Sequence, residues 1–251
     1  MNKRCVFLLG GYDLEMLTIK ELLQTQGVVV DKNLTWDTAL LSKYSKELAF
    51  YADQDCQIVG IELREDVQKP KNYVLIDHHN AYSDCASSLE QVARFFDIEL
   101  TRWQQLVAIN DRGYIDGLKK FGATEEEILQ IRCADRKAQG ISKQEEIDAE
   151  ESILSAQTKK CVMVVYTKCR HFSPITDRLH PFDKLLIYNN DSLVYYGKGC
   201  KKLVHYYEKQ IAVGKVYYGG GENGFVGFNK GSFCKQEIGN QIDIIVKIIE
   251  E

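Results

Sequence analysis

The sequence predicts an α/β fold, in which a parallel sheet with helical cover is followed by a smaller α+β domain. Short apolar runs alternate with helical patterns over the first eighty residues, which is typical of a parallel sheet. Helical patterns then dominate, and strand-like runs return near Lys159. We therefore expect a first domain over residues 1–141, a helical linker over residues 142–158 and a C-terminal domain over residues 159–251.

Composition limits the classes of protein to which the chain can belong. Its 251 residues carry a formal net charge of −4, which argues against electrostatic binding of long nucleic acid but not against a short nucleotide. Apolar runs are too short to span a membrane, and Gly10 and Gly11 interrupt the first one too early for a signal peptide. Eight scattered cysteines without a Cys-x-x-Cys pair indicate reduced thiols. We expect a cytoplasmic protein that does not bind membranes.

The elements of the first domain follow from apolar periodicity. Runs of buried-strand character occur at residues 5–9, 28–30, 57–62 and 73–76. Helical patterns cover residues 16–25 and 35–50, and Gly27 is expected to cap the first helix at its C-terminal end. Later helices are indicated by capping boxes, in which a Ser or Thr precedes a Glu or Gln by three residues. These boxes begin at Ser87, Thr101, Thr124 and Ser142.

The second domain has shorter strand patterns and fewer helices. Residues 184–188 and 193–196 are expected to form a hairpin across the Asn189–Asp191 turn. Further strands are predicted at residues 161–166, 215–218 and 225–228, and helices at residues 203–211 and 238–249. This mixture predicts an α+β architecture.

The triplet Asp77-His78-His79 follows the predicted strand at residues 73–76 directly. In open α/β sheets the carboxyl ends of strands are where binding and catalytic sites form. A carboxylate and two imidazoles at such a point can meet a divalent metal and the groups that orient its ligands. The alternative is an ordinary turn, in which Asp is a common residue. We interpret the triplet as a functional site.

Four further carboxylates lie near predicted strand or helix ends: Asp13, Glu15, Glu62 and Asp111. Carboxylates combined with imidazole suit Mn²⁺ or Mg²⁺ better than a softer metal. Converging carboxylates would repel one another unless a cation bound them. Simpler roles stay open: Asp13 can cap a helix, Glu15 can favour the helix dipole, and Glu62 can be a solvated charge at a strand end.

Two kinds of group are candidates for binding phosphate. Arg112 and Arg136, each directly after an Asp, could contact a phosphate through two N–H groups. Backbone N–H groups of the glycine run Gly219–Gly221 could approach an anion closely. The alternatives are ion pairs for the arginines, which is the interpretation we favour for Arg136, and a flexible turn for the glycines.

The chain resembles the DHH phosphoesterase superfamily, which is named for its Asp-His-His triplet. Members combine a parallel-sheet domain that holds two metals with a smaller C-terminal substrate domain that carries a glycine-rich motif. The signature is matched by residues 77–79, the two acids after the first strand by Asp13 and Glu15, and the acid before the signature by Glu62. Asp111 stands in the place of the last acid, after a short interval.

The sequence departs from the family pattern at three points. The family's first motif opens with a metal-binding His two or four residues before the first acid, where this chain has Gly11 and Leu9. The second acid is Glu15 rather than Asp. The glycine motif at residues 219–224 lacks its usual histidine. These departures imply that one of the two metal sites is weakened or lost.

The resemblance implies a phosphoesterase that uses one or two Mn²⁺ or Mg²⁺ ions and hydrolyses a phosphodiester or phosphoanhydride of a small nucleotide or short oligonucleotide. The implied catalytic residues are Asp77, His78 and His79. The implied metal ligands are Asp13, Glu15, Asp77, His78 and Asp111, and the implied substrate contacts are Arg112, Gly219, Gly220 and Gly221. Alternatives are a DHH-like protein that binds a nucleotide or protein partner without hydrolysis, and an unrelated α/β protein. A homo-oligomer stays open.

Overall fold

The computed structural model divides the chain into two compact units, Met1–Gly140 and Ile141–Glu251. It describes residues 4–35, 38–79, 82, 85–219, 224–229, 231–232 and 235–250. Each unit contains one β-sheet. Among the described residues, no helix is both long and apolar enough to cross a membrane.

The sheet of the first unit has four parallel strands in the order β2-β1-β3-β4. The strands are β1 (Arg4–Leu9), β2 (Val28–Val30), β3 (Cys56–Ile61) and β4 (Tyr73–Ile76). Leu9 pairs with Ile61, and Ile61 pairs with Ile76. The carboxyl ends of β1, β3 and β4 therefore meet at one edge of the sheet.

Helices cover both faces of this sheet, which explains why its central strands are apolar throughout. Alternate residues of β1 enter different cores: Phe7 and Leu9 pack on one face, Val6 and Leu8 on the other. The helices are α1 (Leu14–Leu23), α2 (Ser45–Tyr51), α3 (Ser88–Phe95), α4 (Arg102–Lys120) and α5 (Glu125–Ala138). The predicted parallel sheet with helical cover is confirmed.

The three capping boxes of this unit form as predicted, at the starts of α3, α4 and α5. Two other local predictions are wrong. The helix expected at residues 35–50 is shorter, because Leu40 is extended and forms a β-bridge with Arg64 before a 3₁₀ turn at Leu41–Tyr44. Gly27 does not cap α1, which ends at Leu23; a side chain at residue 27 would meet the carbonyl oxygen of Cys5.

The second unit has a six-stranded mixed sheet in the order β5-β6-β7-β8-β10-β9. Its strands are β5 (Gln157–Lys159), β6 (Val162–Tyr166), β7 (Lys184–Tyr188), β8 (Leu193–Gly197), β9 (Val216–Gly219) and β10 (Phe225–Phe228). The predicted hairpin is confirmed as the antiparallel pair β7–β8. Only β6 and β7 pair in parallel among the described strands of this sheet.

The helices of the second unit lie around this sheet. They are α6 (Lys143–Leu154), α7 (Ser173–Leu179), α8 (Cys200–Tyr206), α9 (Glu208–Ala212) and α10 (Ile238–Glu250), with a 3₁₀ turn at Lys235–Glu237. The fourth predicted capping box opens α6 at Ser142. The Ser152 hydroxyl of α6 donates a hydrogen bond to Thr167 at 2.9 Å. The helix predicted at residues 203–211 forms as two helices, which meet at Tyr207.

Candidate metal centre

The backbone at the ends of β1 and β3 is unusually close. A Cβ atom at Gly10 would lie 2.2 Å from the carbonyl oxygen of Glu62, so only glycine fits there. Glu62 itself has a φ of +54°, which L-residues rarely adopt. This strained turn carries the Glu62 side chain inward, where it is buried.

His78 lies at the centre of three carboxylates. Its Nε2 atom is 2.8 Å from Asp111 Oδ2, 3.2 Å from Glu62 Oε1 and 3.4 Å from Glu15 Oε2. The four residues come from separate parts of the first unit: α1, α4 and the segments that follow β3 and β4. We call Glu15, Glu62, His78 and Asp111 the acidic cluster.

The acidic cluster is not satisfied by its own hydrogen bonds. All four converging atoms are buried, and none makes a hydrogen bond of acceptable geometry with another described residue. A single ring N–H can serve only one of three carboxylate oxygens well, and a buried polar atom without a partner is costly. Ligand atoms of Glu15, His78 and Asp111, and those of Glu62, His78 and His79, lie within 4.8 Å of one another. These donors fit Mn²⁺ or Mg²⁺.

The electrostatics of the acidic cluster favour a cation. Burial, followed by the neighbouring carboxylates, raises the pKa of Glu62 to about 7. Burial, followed by the Glu15 charge, raises the pKa of Asp111 to about 6. Burial lowers the pKa of His78, but the contacts of His78 with Asp111, Glu15 and Glu62 outweigh burial and raise this pKa to about 12. The metal-free cluster thus holds protons that a divalent ion would displace.

Glu15 and Asp13 are fixed by helix termini. Glu15 Oε1 accepts a hydrogen bond from the Leu89 N–H at the start of α3, at 3.0 Å. Burial opposes its charge, but His78 and this hydrogen bond lower its pKa overall. Asp13 caps α1 by accepting the Met16 N–H at 2.8 Å. Burial, then the charges of Asp111 and Glu62, raises the Asp13 pKa well above its usual range.

The Asp77 carboxylate contacts His79. Its Oδ1 atom accepts the His79 backbone N–H at 2.9 Å and lies 3.0 Å from Nδ1 of the His79 ring. Burial lowers the pKa of His79, but the contact with Asp77 and the Glu62 charge raise it overall. Asp77 lies outside both groups of described residues that could hold a metal. It orients His79, as carboxylates often orient metal-binding or proton-carrying histidines.

The structure describes only some of the residues predicted to contact phosphate. Arg112 lies on α4 and pairs with Glu90 of α3 at 3.2 Å, partly exposed. Gly219 ends β9, whereas Gly220 and Gly221 lie outside the described residues.

Sequence reasoning missed two features of the site. Glu62, matched to the family's acid before the signature but left out of the implied metal ligands, is buried against His78. The signal was its position after a buried strand, the same position that the triplet occupies after β4. The second feature is a buried arginine, Arg132, on the apolar face of α5 beside Ile128, Ile131 and Asp135. A charged residue at a core position predicts a specific partner.

No protein-family model and no curated protein matches the sequence. Solved structures do match. A DHH-domain protein described as a member of a family of ribosomal proteins is 13% identical, with a TM-score of 0.59 over 97% of this chain and 86% of that one. RecJ from Thermus thermophilus, solved with Mn²⁺, is 8% identical, with a TM-score of 0.50 over 99% of this chain and 52% of that one. This chain therefore has the fold of the DHH-domain proteins, and it spans about half the length of RecJ.

Proposed function

We propose that this chain, which has the DHH fold, is a divergent DHH phosphoesterase that uses a divalent metal to hydrolyse a phosphodiester or phosphoanhydride of a small nucleotide or short oligonucleotide. One observation carries the proposal: three carboxylates, each through a buried oxygen, converge on the Nε2 atom of His78, and none of the four atoms makes a hydrogen bond among the described residues. The RecJ structure contains Mn²⁺ on the same fold. The negative net charge suits a short substrate better than a long polymer.

The acidic cluster would hold the first ion: the ligand atoms of Glu15, His78 and Asp111 lie close together, and Glu62 lies 3.2 Å from the same His78 nitrogen. Asp13, whose pKa the charges of Asp111 and Glu62 raise, is the candidate ligand for a second ion. Leu9, at one of the positions where the family has a metal-binding His, is fully buried in the apolar core and provides no ligand. One strong ion and a weak or absent second one are the expected stoichiometry.

A bound ion supplies a Lewis acid for the phosphoryl oxygen and lowers the pKa of a bound water. The protein side chains supply the rest. Asp77 holds the ring of His79 through Nδ1, so that His79 Nε2 is the atom that positions the phosphate or protonates the leaving oxygen. The contact with Asp77 raises the pKa of His79, which favours the protonated ring that proton donation requires. Arg112 and the glycine run at residues 219–221 remain the candidate substrate contacts.

A second function is favoured by the apolar residue at position 9. If the loss of a ligand there abolishes turnover, the chain would bind a nucleotide or protein partner without hydrolysing it. Nucleotide binding that a chelator leaves unchanged, without hydrolysis of any phosphodiester, would support this alternative. Hydrolysis that depends on added metal would exclude it.

The test is metal-dependent hydrolysis by the metal-stripped full chain, reconstituted with Mn²⁺ and given a chromogenic phosphodiester and short oligonucleotides. We expect turnover that Asp111→Asn abolishes. Glu125→Gln, which alters an exposed carboxylate at the start of α5, is the matched control and should leave turnover unchanged. Equal metal-dependent rates in Asp111→Asn and the unaltered protein would show that the acidic cluster does not carry the activity.

A further inference from the structure

Helix α4, which carries Asp111, is broken three residues after this carboxylate. Tyr114 has a φ of +52° and a ψ of −150°, and two helical segments meet there. A tyrosine in this conformation is strained, and strain of this kind persists only where the surrounding structure holds it in place. The contacts around Tyr114 should therefore show what fixes the break.

One buried side chain contacts residues on both sides of Asp111. Arg132 of α5 places its guanidinium 4.5 Å from the centre of the Tyr114 ring, within the range of a cation–π contact. Its Nη1 atom donates a hydrogen bond to Asn110 Oδ1 at 2.9 Å. The same nitrogen donates to Asp135 at 2.7 Å, which balances the buried charge.

A gain in stability does not explain these contacts of Arg132. Replacing a buried ion pair with apolar side chains is often neutral or stabilising, and the positive φ of Tyr114 adds a cost. Their position is informative, because Asn110 directly precedes Asp111 and Tyr114 follows it by three residues. Arg132 therefore fixes the part of α4 from which Asp111 reaches His78 at 2.8 Å.

We propose that Arg132 is a positioning residue of the metal centre, which holds the broken helix α4 so that Asp111 points into the acidic cluster. The proposal deepens the proposed function and rests on it. Arginine suits this role because its planar guanidinium can donate to Asn110 and stack on Tyr114 at once, which the point charge of lysine cannot do.

The chain offers a matched control in Arg102. Arg102 also joins α4 to α5, because its guanidinium donates two hydrogen bonds to Glu127, and it lies 4.8 Å from the centre of the Phe121 ring. It is exposed and lies at the start of α4, nine residues before Asp111. The two arginines thus share interaction types but differ in their link to the metal centre.

The experiment is calorimetric titration of Mn²⁺ alone into the metal-stripped full chain, with Arg132→Lys, Arg102→Lys and Asp111→Asn compared. We expect Arg132→Lys to weaken Mn²⁺ binding by about tenfold, as is usual when a group that orients a ligand is lost. Arg102→Lys should bind as the unaltered protein does. The electron paramagnetic resonance spectrum of bound Mn²⁺ should change in Arg132→Lys but not in Arg102→Lys, which a purely structural role for both arginines would not produce.

Unchanged affinity in Arg132→Lys, together with weakened binding in Asp111→Asn, would overturn this proposal and leave the metal site standing. Unchanged affinity in Asp111→Asn would overturn the site itself. If circular dichroism shows that Arg132→Lys does not fold, Asn110→Ala replaces it, since Arg132 then keeps its pairing with Asp135. Weaker Mn²⁺ binding in Asn110→Ala supports the proposal, and unaltered binding refutes it.

Discussion

The two units of the chain treat buried polar groups differently. In the second unit, the Tyr195 hydroxyl donates to the Lys198 carbonyl, and Ser152 donates to Thr167. In the first unit, four buried polar atoms converge at the carboxyl edge of the sheet without a hydrogen bond among the described residues, whereas other unpaired atoms, such as those of Asn72, Tyr73 and Ser88, lie outside the acidic cluster. The difference teaches that several unpaired polar groups at one point, rather than a single one, mark a place where the fold leaves room for a ligand.

The largest predicted effect is a loss of stability in the second unit that leaves metal binding unchanged. Leu186 is fully buried in the core of the second unit, so Leu186→Ala leaves a cavity and should cost about 2–5 kcal/mol of unfolding free energy. Far-UV circular dichroism during urea unfolding measures this loss. Calorimetry should find an unchanged Mn²⁺ affinity, since the acidic cluster belongs to the first unit. A large fall in affinity would contradict the comparison.

Metal should stabilise the first unit through His78. At a free Mn²⁺ concentration about 100 times the dissociation constant, the unfolding free energy should rise by about 2.7 kcal/mol. His78→Ala should abolish this gain, whereas His205→Ala, at an exposed position of α8, should keep it. Tryptophan fluorescence reports on the first unit, because both tryptophans precede residue 140. Equal gains in the two variants would exclude His78 as a ligand.

The acidic cluster should make the metal-free protein less stable as the pH rises. The pKa of Glu62 is about 7 in the folded protein and 4.5 without the fold, so the folded state binds the proton more tightly. The contribution of Glu62 to the free energy of unfolding is complete below pH 4.5 and is lost as the pH rises towards 7. The loss should be on the order of 2 kcal/mol, after a discount for coupling with His78.

Glu62→Gln tests this pH dependence, because it removes the titrating group. Urea unfolding of the metal-stripped variant, followed by tryptophan fluorescence, should show a flatter dependence between pH 4.5 and 7 than the unaltered protein. Glu125→Gln, at an exposed position, should keep the original slope. A slope that Glu62→Gln leaves unchanged would show that this carboxyl does not hold its proton in the fold.

The smallest effects should come from helix caps, which the two units share. Thr101→Ala in the first unit and Ser142→Ala in the second each remove a side-chain acceptor at a helix start, and each should cost about 1 kcal/mol. Denaturant unfolding measures both, and neither should alter Mn²⁺ affinity. If Thr101→Ala weakened Mn²⁺ binding as strongly as Arg132→Lys, the specific link between Arg132 and Asp111 would be wrong.

Local signals predicted much of the fold. The capping boxes at Ser87, Thr101, Thr124 and Ser142 all formed, because a cap depends only on residues three positions apart. The helix predicted at residues 35–50 is wrong in its first part, because Leu40 forms a β-bridge with Arg64, which is distant in sequence. Sequence patterns cannot show such a partner.

The acidic cluster was predictable in part. The triplet at residues 77–79 was predictable because it follows a buried strand. Asp13, Glu15, Glu62 and Asp111 were predictable as candidate carboxylates near strand or helix ends. The position of Glu62 after a buried strand was the available signal, but its burial depends on the close approach of Gly10, which follows the neighbouring strand β1. The contacts of Arg132 with Asn110 and Tyr114 also join residues from different helices.

The positive φ of Glu62 has a consequence for directed evolution of this protein. Asparagine or glycine would fit that backbone with less strain, and either would remove a buried carboxylate from among its like-charged neighbours. A screen for heat resistance alone would thus enrich replacements at position 62, whereas a screen for metal-dependent turnover would discard them. Under the proposed function, stability and turnover favour different residues at position 62, so the two selections should diverge there.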